Sequence, residues 1–127
     1  KEFLLTSKAK DLVKHTVFMT DSIKRYPKKF KFSYVNRMQE IAIDILEDIQ
    51  TANELNINDP EELKERLYLQ NKAITKCKTL SFFIELSFEN ESININDKQC
   101  KTWIKYVLDV QYMAVRWRTK DKERTRR

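Results

Sequence analysis

Apolar residues return every three or four positions along four stretches of the chain, and polar residues fill the positions between. That spacing belongs to helices with one buried face; strands repeat every two residues. The first stretch runs from about Ser7 to Arg25. Ala9, Leu12, Thr16, Met19 and Ile23 share its inner face, and Val13 and Phe18 widen it. Pro27 is expected to end this helix, because the residue before a proline avoids helical angles. A second stretch, from about Ser33 to Leu55, carries Tyr34, Met38, Ile41, Ile45, Ile49 and Ala52 on one stripe, with Ala42 and Leu46 alongside. Ser33 is placed to cap its start by accepting from unpaired backbone N–H groups.

"NELNINDPEE" then reads as a short loop that ends in a helix start signal. Asp59 is the expected N-cap, Pro60 takes the first helical position where its missing N–H costs nothing, and Glu62 follows three residues after the cap. The third helix is predicted from about Pro60 to Phe88, with Leu63, Leu67, Ile74, Cys77, Ile84 and Phe88 on its stripe and Leu80 and Phe83 beside it. "ENESININDK" is the next loop, with Asn94 or Asn96 as cap. The fourth helix runs from about Asp97 to Lys120 on Trp103, Val107, Val110, Ala114 and Trp117, flanked by Ile104 and Leu108.

Composition agrees with this picture. The 127 residues contain no glycine and two prolines, where about 7% glycine is average. Hairpins and sandwiches need glycine for left-handed turns, and phosphate-cradling loops need it for close approach. The expected fold is therefore all-α, an antiparallel up-down-up-down four-helix bundle over residues 1–120 with a basic C-terminal tail at 121–127. No apolar run approaches the roughly 20 residues of a membrane span, and nothing resembles a signal peptide. With free thiols at Cys77 and Cys100, this predicts a cytoplasmic protein without membrane association.

Charge adds a pattern that hydropathy does not show. Residues 1–37 hold 10 Lys and Arg against 3 Asp and Glu, a net of +7; residues 38–97 hold 5 against 13, a net of −8; residues 98–127 again hold 10 against 3. Closure of the fourth helix against the first is expected to bring the two basic ends of the chain onto one side of the bundle, with helices two and three on the acidic side. Two clusters stand out. Arg25, Lys28, Lys29 and Lys31 lie in "RYPKKFKF", with Arg37 one helical turn beyond. Arg116, Arg118, Lys120, Lys122 and Arg124 lie in the C-terminal "RWRTKDKERTRR". Such cations neutralise phosphates and release counterions, and arginine also pairs bidentately with phosphate and stacks on bases. Two readings stand at this point: a surface for nucleic acid, or a solvated elbow and a frayed tail. The rings of Tyr26, Phe30 and Phe32 divide the same way, between stacking on unpaired bases and plugging the end of the core.

Other chemistry finds little support. A single histidine, His15, and two cysteines without ligand spacing give no expectation of zinc, and no cofactor is implied. Glu40, Asp44, Glu47 and Asp48 are spaced as an outer acidic face of the second helix. They read as a docking stripe, since no complementary acidic motif exists to complete a magnesium site. Lys72 and Lys76, four apart on the third helix, can extend the basic surface or form a solvated face. No catalytic companion for His15 is evident, and the expectation is a protein that is not an enzyme.

The stretch "RYPKKFKFSYVNRMQEIAIDILEDIQTANEL" resembles the Avd family, the accessory variability determinants of diversity-generating retroelements. That family shows a proline-led basic or polar turn, an aromatic, then a helix closing on an Ile/Leu-rich run and an Ala-Asn pair, here Ala52–Asn53. "LYLQNKAITKCKTLSFF" is similar to its third helix. "DKQCKTWIKYVLDVQYMAVRWRTK" is similar to its closing helix, with Asp109, Met113 and Trp117 at the family's acid, methionine and tryptophan. Where the family often has glycines before that tryptophan, this chain has Val115–Arg116. The related 23S ribosomal RNA intervening-sequence proteins share the bundle, but their second helix is richer in alanine and has a glycine near its end. The resemblance implies a non-enzymatic, homo-oligomeric, pentameric partner of a reverse transcriptase that also engages template RNA, and by extension its cDNA, during mutagenic cDNA synthesis. Arg25, Lys28, Lys29 and Lys31 map onto the matched turn, and Arg116 and Arg118 onto the matched closing helix. Arg37, Lys120, Lys122 and Arg124 are added on charge alone. The alternatives are an intervening-sequence-type bundle and a protein-interaction scaffold that does not touch RNA.

Overall fold

The computed structural model describes residues 2–124, and every regular element among them is helical: α1 (Leu4–Thr20), α2 (Asn36–Glu54), α3 (Pro60–Glu89) and α4 (Asp97–Arg124). Each helix packs against its sequence neighbours, and α4 closes against α1, so the four form a bundle. Named contacts fix the directions. Phe3, at the start of α1, meets the Trp117 ring at 5.1 Å, while Trp103 donates through Nε1 to the Thr16 hydroxyl near the end of α1. Arg66, early in α3, donates through Nε to Asp121, late in α4, and through Nη1 to the Ala52 and Leu55 carbonyls at the end of α2. At the opposite end the Ser87 hydroxyl reaches the Met38 sulfur. Neighbours therefore run antiparallel.

The stripes read from the sequence supply most of the core. Leu5, Ala9, Leu12 and Met19 of α1, Met38, Ile41, Ile45 and Ile49 of α2, Ile74, Cys77, Leu80 and Ile84 of α3, and Trp103, Val107, Val110 and Ala114 of α4 are buried together. Asp59 caps α3 as expected, accepting from the backbone N–H groups of Glu61 and Glu62, with Pro60 behind it. Asn96 caps α4 reciprocally: its side chain accepts from Gln99 N–H, and the Gln99 side chain accepts from Asn96 N–H. This is a capping box that satisfies two otherwise unpaired donors. No described residue has a positive φ. The chain leaves α2 and α3 through extended backbone at Leu55 and Asn90, so a glycine-free sequence closes its turns without left-handed geometry.

Several expectations need correction. α1 stops at Thr20, five residues before Arg25, and a separate turn follows in which Tyr26 N–H donates to the Ser22 carbonyl. The break swings Tyr26 into the core at 2% exposure and throws Ile23 out of phase with its stripe, leaving it exposed. Phe18 is also exposed, because it sits on the flank of α1 beyond the buried face. Ser33 caps nothing. The chain is already coiled by then, in a 3-10 turn over Lys28–Phe30 and a wide π turn over Lys31–Val35 that lead directly into α2. On α3, Leu63 and Leu67 are half-buried and Phe88 is exposed, whereas the polar Arg66 and Gln70 are buried. Finally, α4 does not stop near Lys120. It continues to Arg124 and buries Asp121, so residues 121–124 belong to the bundle; residues 125–127 of the expected tail lie outside the described residues.

Candidate functional site

Antiparallel packing decides where the two basic clusters fall. The elbow between α1 and α2 sits at the end of the bundle where α4 begins: the Arg25 carbonyl accepts from Asn94 N–H, just before that helix. Arg116, Arg118, Lys120, Lys122 and Arg124 lie more than five helical turns away, which at 1.5 Å per residue is about 30 Å along α4. The expected meeting of the two clusters therefore does not occur. α1 and α4 do form one side, so the basic halves of the sequence share a flank, but the two clusters crown opposite ends of it. The physical reason is direction: an element joining helices one and two shares an end with the start of helix four, not with its finish.

The elbow is the freer of the two. Lys28, Lys29 and Lys31 are exposed, and neither they nor Lys24 nor Arg25 forms an ion pair with any described carboxylate. Their close neighbours are rings. Arg25 lies over Phe18 at 4.8 Å, Lys29 over Phe30 at 5.2 Å and Lys31 over Phe32 at 5.9 Å. The three elbow aromatics split between the roles weighed for them. Tyr26 plugs the core, and burial drives its phenol pKa far above the ordinary value. Phe30 is half-buried and packs edge-on against Tyr34. Phe32 stands outward at 79% exposure, a position that core packing does not explain. A pocket of about 450 Å³ opens between the end of α1 and the π turn; Ile23, Pro27 and Val35 are its apolar lining, and Lys28, Lys31 and Asp21 its charged lining. The π turn widens the backbone at this point, and such turns recur at functional sites. Arg37, one turn into α2, pairs with Glu40 at 3.7 Å and so stands apart from the unpaired set.

The C-terminal cluster is partly committed to its own fold. Arg118 donates through Nε to the Leu67 carbonyl, and Arg124 pairs with Asp121. Asp121 is the hub here: Arg66 and Gln70 both donate to its Oδ2 at 2.7 Å, and the Arg66 guanidinium lies over Trp117 at 4.9 Å. Lys122 is exposed, while Arg116 and Lys120 line a small cleft of about 190 Å³ with Phe3, Leu5, Met113 and Trp117. Sequence reading missed the Arg66–Gln70–Asp121 network. Its only trace is a pair of polar residues, four apart, in line with the buried positions that follow on α3.

The remaining candidates resolve by geometry. Asp48 does not face outward as expected, and Asp44 does so only in part. They turn toward α3, where the Lys76 ammonium lies 2.8 Å from Asp48 and 3.9 Å from Asp44. This pairing removes Lys76 from the basic surface. Lys72 lies over the Tyr68 ring. Cys77 is buried in the core, its thiol pushed up to about 12 by burial, and Cys100 is half-buried with its thiol pushed up as well, first by burial and then by Asp97 and Glu85. His15 is half-buried and stacked on Tyr106 with centroids 4.5 Å apart. Among the described residues no helix is long and apolar enough to cross a membrane. No family model matches the chain, and no curated protein or solved structure matches it.

Proposed function

We propose that this chain is a non-catalytic, cytoplasmic RNA-binding accessory protein that grips RNA through its elbow end. The observation that carries the reading is the set of cations from Lys24 to Lys31 on one end of the bundle, with no ion-pair partner among the described residues, followed by the outward ring of Phe32. Lys76 and Arg66, by contrast, are held by the protein's own carboxylates. A cluster left unpaired, on a coiled turn and beside an exposed aromatic, suits a polyanion with stackable bases. Arg116, Lys120 and Lys122 at the far end form a second, lesser contact.

The likeness of the elbow, α2, α3 and α4 to the Avd family supplies the biological setting. In this reading the protein serves a diversity-generating retroelement, binding the reverse transcriptase and the template RNA and supporting mutagenic cDNA synthesis as a homo-oligomer. Phe82 and Leu86 on α3 and Tyr112 and Val115 on α4 are exposed, and each pair is spaced to share an outer helix face. Those faces are suited to sister subunits or to the polymerase.

The test is RNA binding as a function of salt. Wild type should bind a single-stranded RNA with an affinity that falls steeply as salt rises. Neutralising Lys28, Lys29 and Lys31 together to Gln should weaken binding and reduce the log–log salt slope by about 2, since each phosphate no longer neutralised lowers it by roughly 0.7. Equal affinity and slope in the triple variant would overturn the reading.

A further inference from the structure

Along the flank where α1 meets α4, next to the elbow, a shallow cleft of about 360 Å³ is lined by Asp11, Lys14, His15, Phe18 and Tyr106. Two nitrogens are anomalous, one on the lining residue His15 and one on Arg25, which lies over the lining ring of Phe18. Arg25 Nε and His15 Nε2 are both sealed from solvent, and neither has a hydrogen-bond partner within the protein. Buried donors are almost always paired, so an unpaired one asks for an explanation. Here two occur close together: Phe18 stacks on the Arg25 guanidinium at 4.8 Å and lies 6.1 Å from the His15 ring. Phe18 is itself anomalous, a phenylalanine at 62% exposure with a cation over its ring.

We propose that this cleft is a single-nucleotide subsite for an unpaired residue of RNA, holding the base on the exposed ring of Phe18 and the adjoining phosphate on Arg25, Lys14 and His15. The inference rests on the elbow being an RNA-binding end, and it adds which form of RNA is bound and where. The parts match the ligand. A ring backed by guanidinium is a stacking platform that any base can use, but only a base released from a duplex can reach it. Arg25 is half-buried, and its guanidinium lies over the ring of Phe18, which lines the cleft.

His15 gives the subsite a signature. Burial, and then the Arg25 charge, hold its pKa below the ordinary histidine value, so it is neutral near pH 7 in the free protein. The groups around it are Asp11 and Lys14 from its own helix, Arg25 from the elbow, and Tyr106 with the stacked ring of α4. Of these only Asp11 is negative, and it lies on the exposed side of α1. A phosphate placed against His15 and Arg25 favours the imidazolium, so binding takes up a proton and tightens as pH falls from about 7 to about 6.

The experiment titrates the full chain with a short single-stranded RNA and with the same strand in a duplex, following the His15 ring signals by NMR at several pH values. The expected result is preference for the single strand, movement of the His15 signals, and an upward shift of its pKa on binding. Phe18→Leu, conservative at an exposed position, should lose about tenfold in single-strand affinity and erase the preference over duplex. Arg25→Gln should lose about as much. The Lys28/Lys29/Lys31→Gln variant separates the two levels. If it binds weakly while Phe18→Leu binds as wild type and the His15 signals stay still, the subsite is overturned and the elbow reading stands. If wild type binds neither RNA at low salt, both fall.

Discussion

The two ends of the bundle carry similar numbers of cations and use them differently. At the C-terminal end Arg66 and Arg124 close on Asp121, and Arg118 is tied to a backbone carbonyl of α3. At the elbow end Arg25, Lys29 and Lys31 lie over rings, and no cation from Lys24 to Lys31 has an ion-pair partner among the described residues. Charge counted along a sequence measures neither case. What a polyanion meets is the charge left over after the fold has satisfied itself, and by that measure the elbow is available and the opposite end is in large part a clamp.

The clamp should reveal itself first. Asp121→Ala leaves Arg66 buried with no counter-charge, and removing one partner of such a pair costs about 3–5 kcal/mol. Chemical denaturation should show that loss, while RNA affinity measured below the transition should change little. The converse holds at the elbow. Lys28/Lys29/Lys31→Gln should cut RNA affinity by at least about tenfold at low salt and leave the denaturation midpoint where it was, or raise it slightly by relieving repulsion. A variant that damaged both properties together at either end would dissolve the distinction. Next in size is Asp59→Ala, which removes the cap on α3 near the clamped end and should cost about 1 kcal/mol in the same denaturation assay.

The smallest effect is a pH dependence at the elbow end. The folded protein holds the His15 pKa below its unfolded value, by burial first and the Arg25 charge second. Between those two values the unfolded chain binds more protons, so stability rises with pH there. The contribution is present above the unfolded histidine pKa and lost as pH falls through the window beneath it. Thermal melts should therefore drop modestly on acidification below about pH 6.5. His15→Gln should flatten that part of the profile and leave the carboxylate-driven loss at lower pH unchanged.

Much of the fold was legible because helices announce themselves by spacing. The stripe from Met38 through Ile41, Ile45 and Ile49 to Ala52 is buried as read, and Asp59–Pro60 starts α3 where the pair implied. What misled was coincidence of phase: Ile23 follows Met19 by four residues, so the pattern runs past Thr20 although the backbone has already turned. Long-range polar partners were invisible for another reason. Arg66 and Asp121 are 55 residues apart, and neither looks buried until the other is beside it. The separation of the basic clusters was within reach: direction alternates with each helix, so counting helices places the first connection and the last helix's finish at opposite ends. That the elbow cations would lack carboxylate partners depends on which acids lie nearby in three dimensions, and no sequence pattern reports it.

The distance between the ends makes the bundle a ruler. A single strand must reach across the roughly 30 Å from elbow to clamp before it can touch both. Shorter oligonucleotides can occupy one end or the other and never both. Affinity plotted against length should therefore climb gently, then step upward once a ligand is long enough to touch both ends.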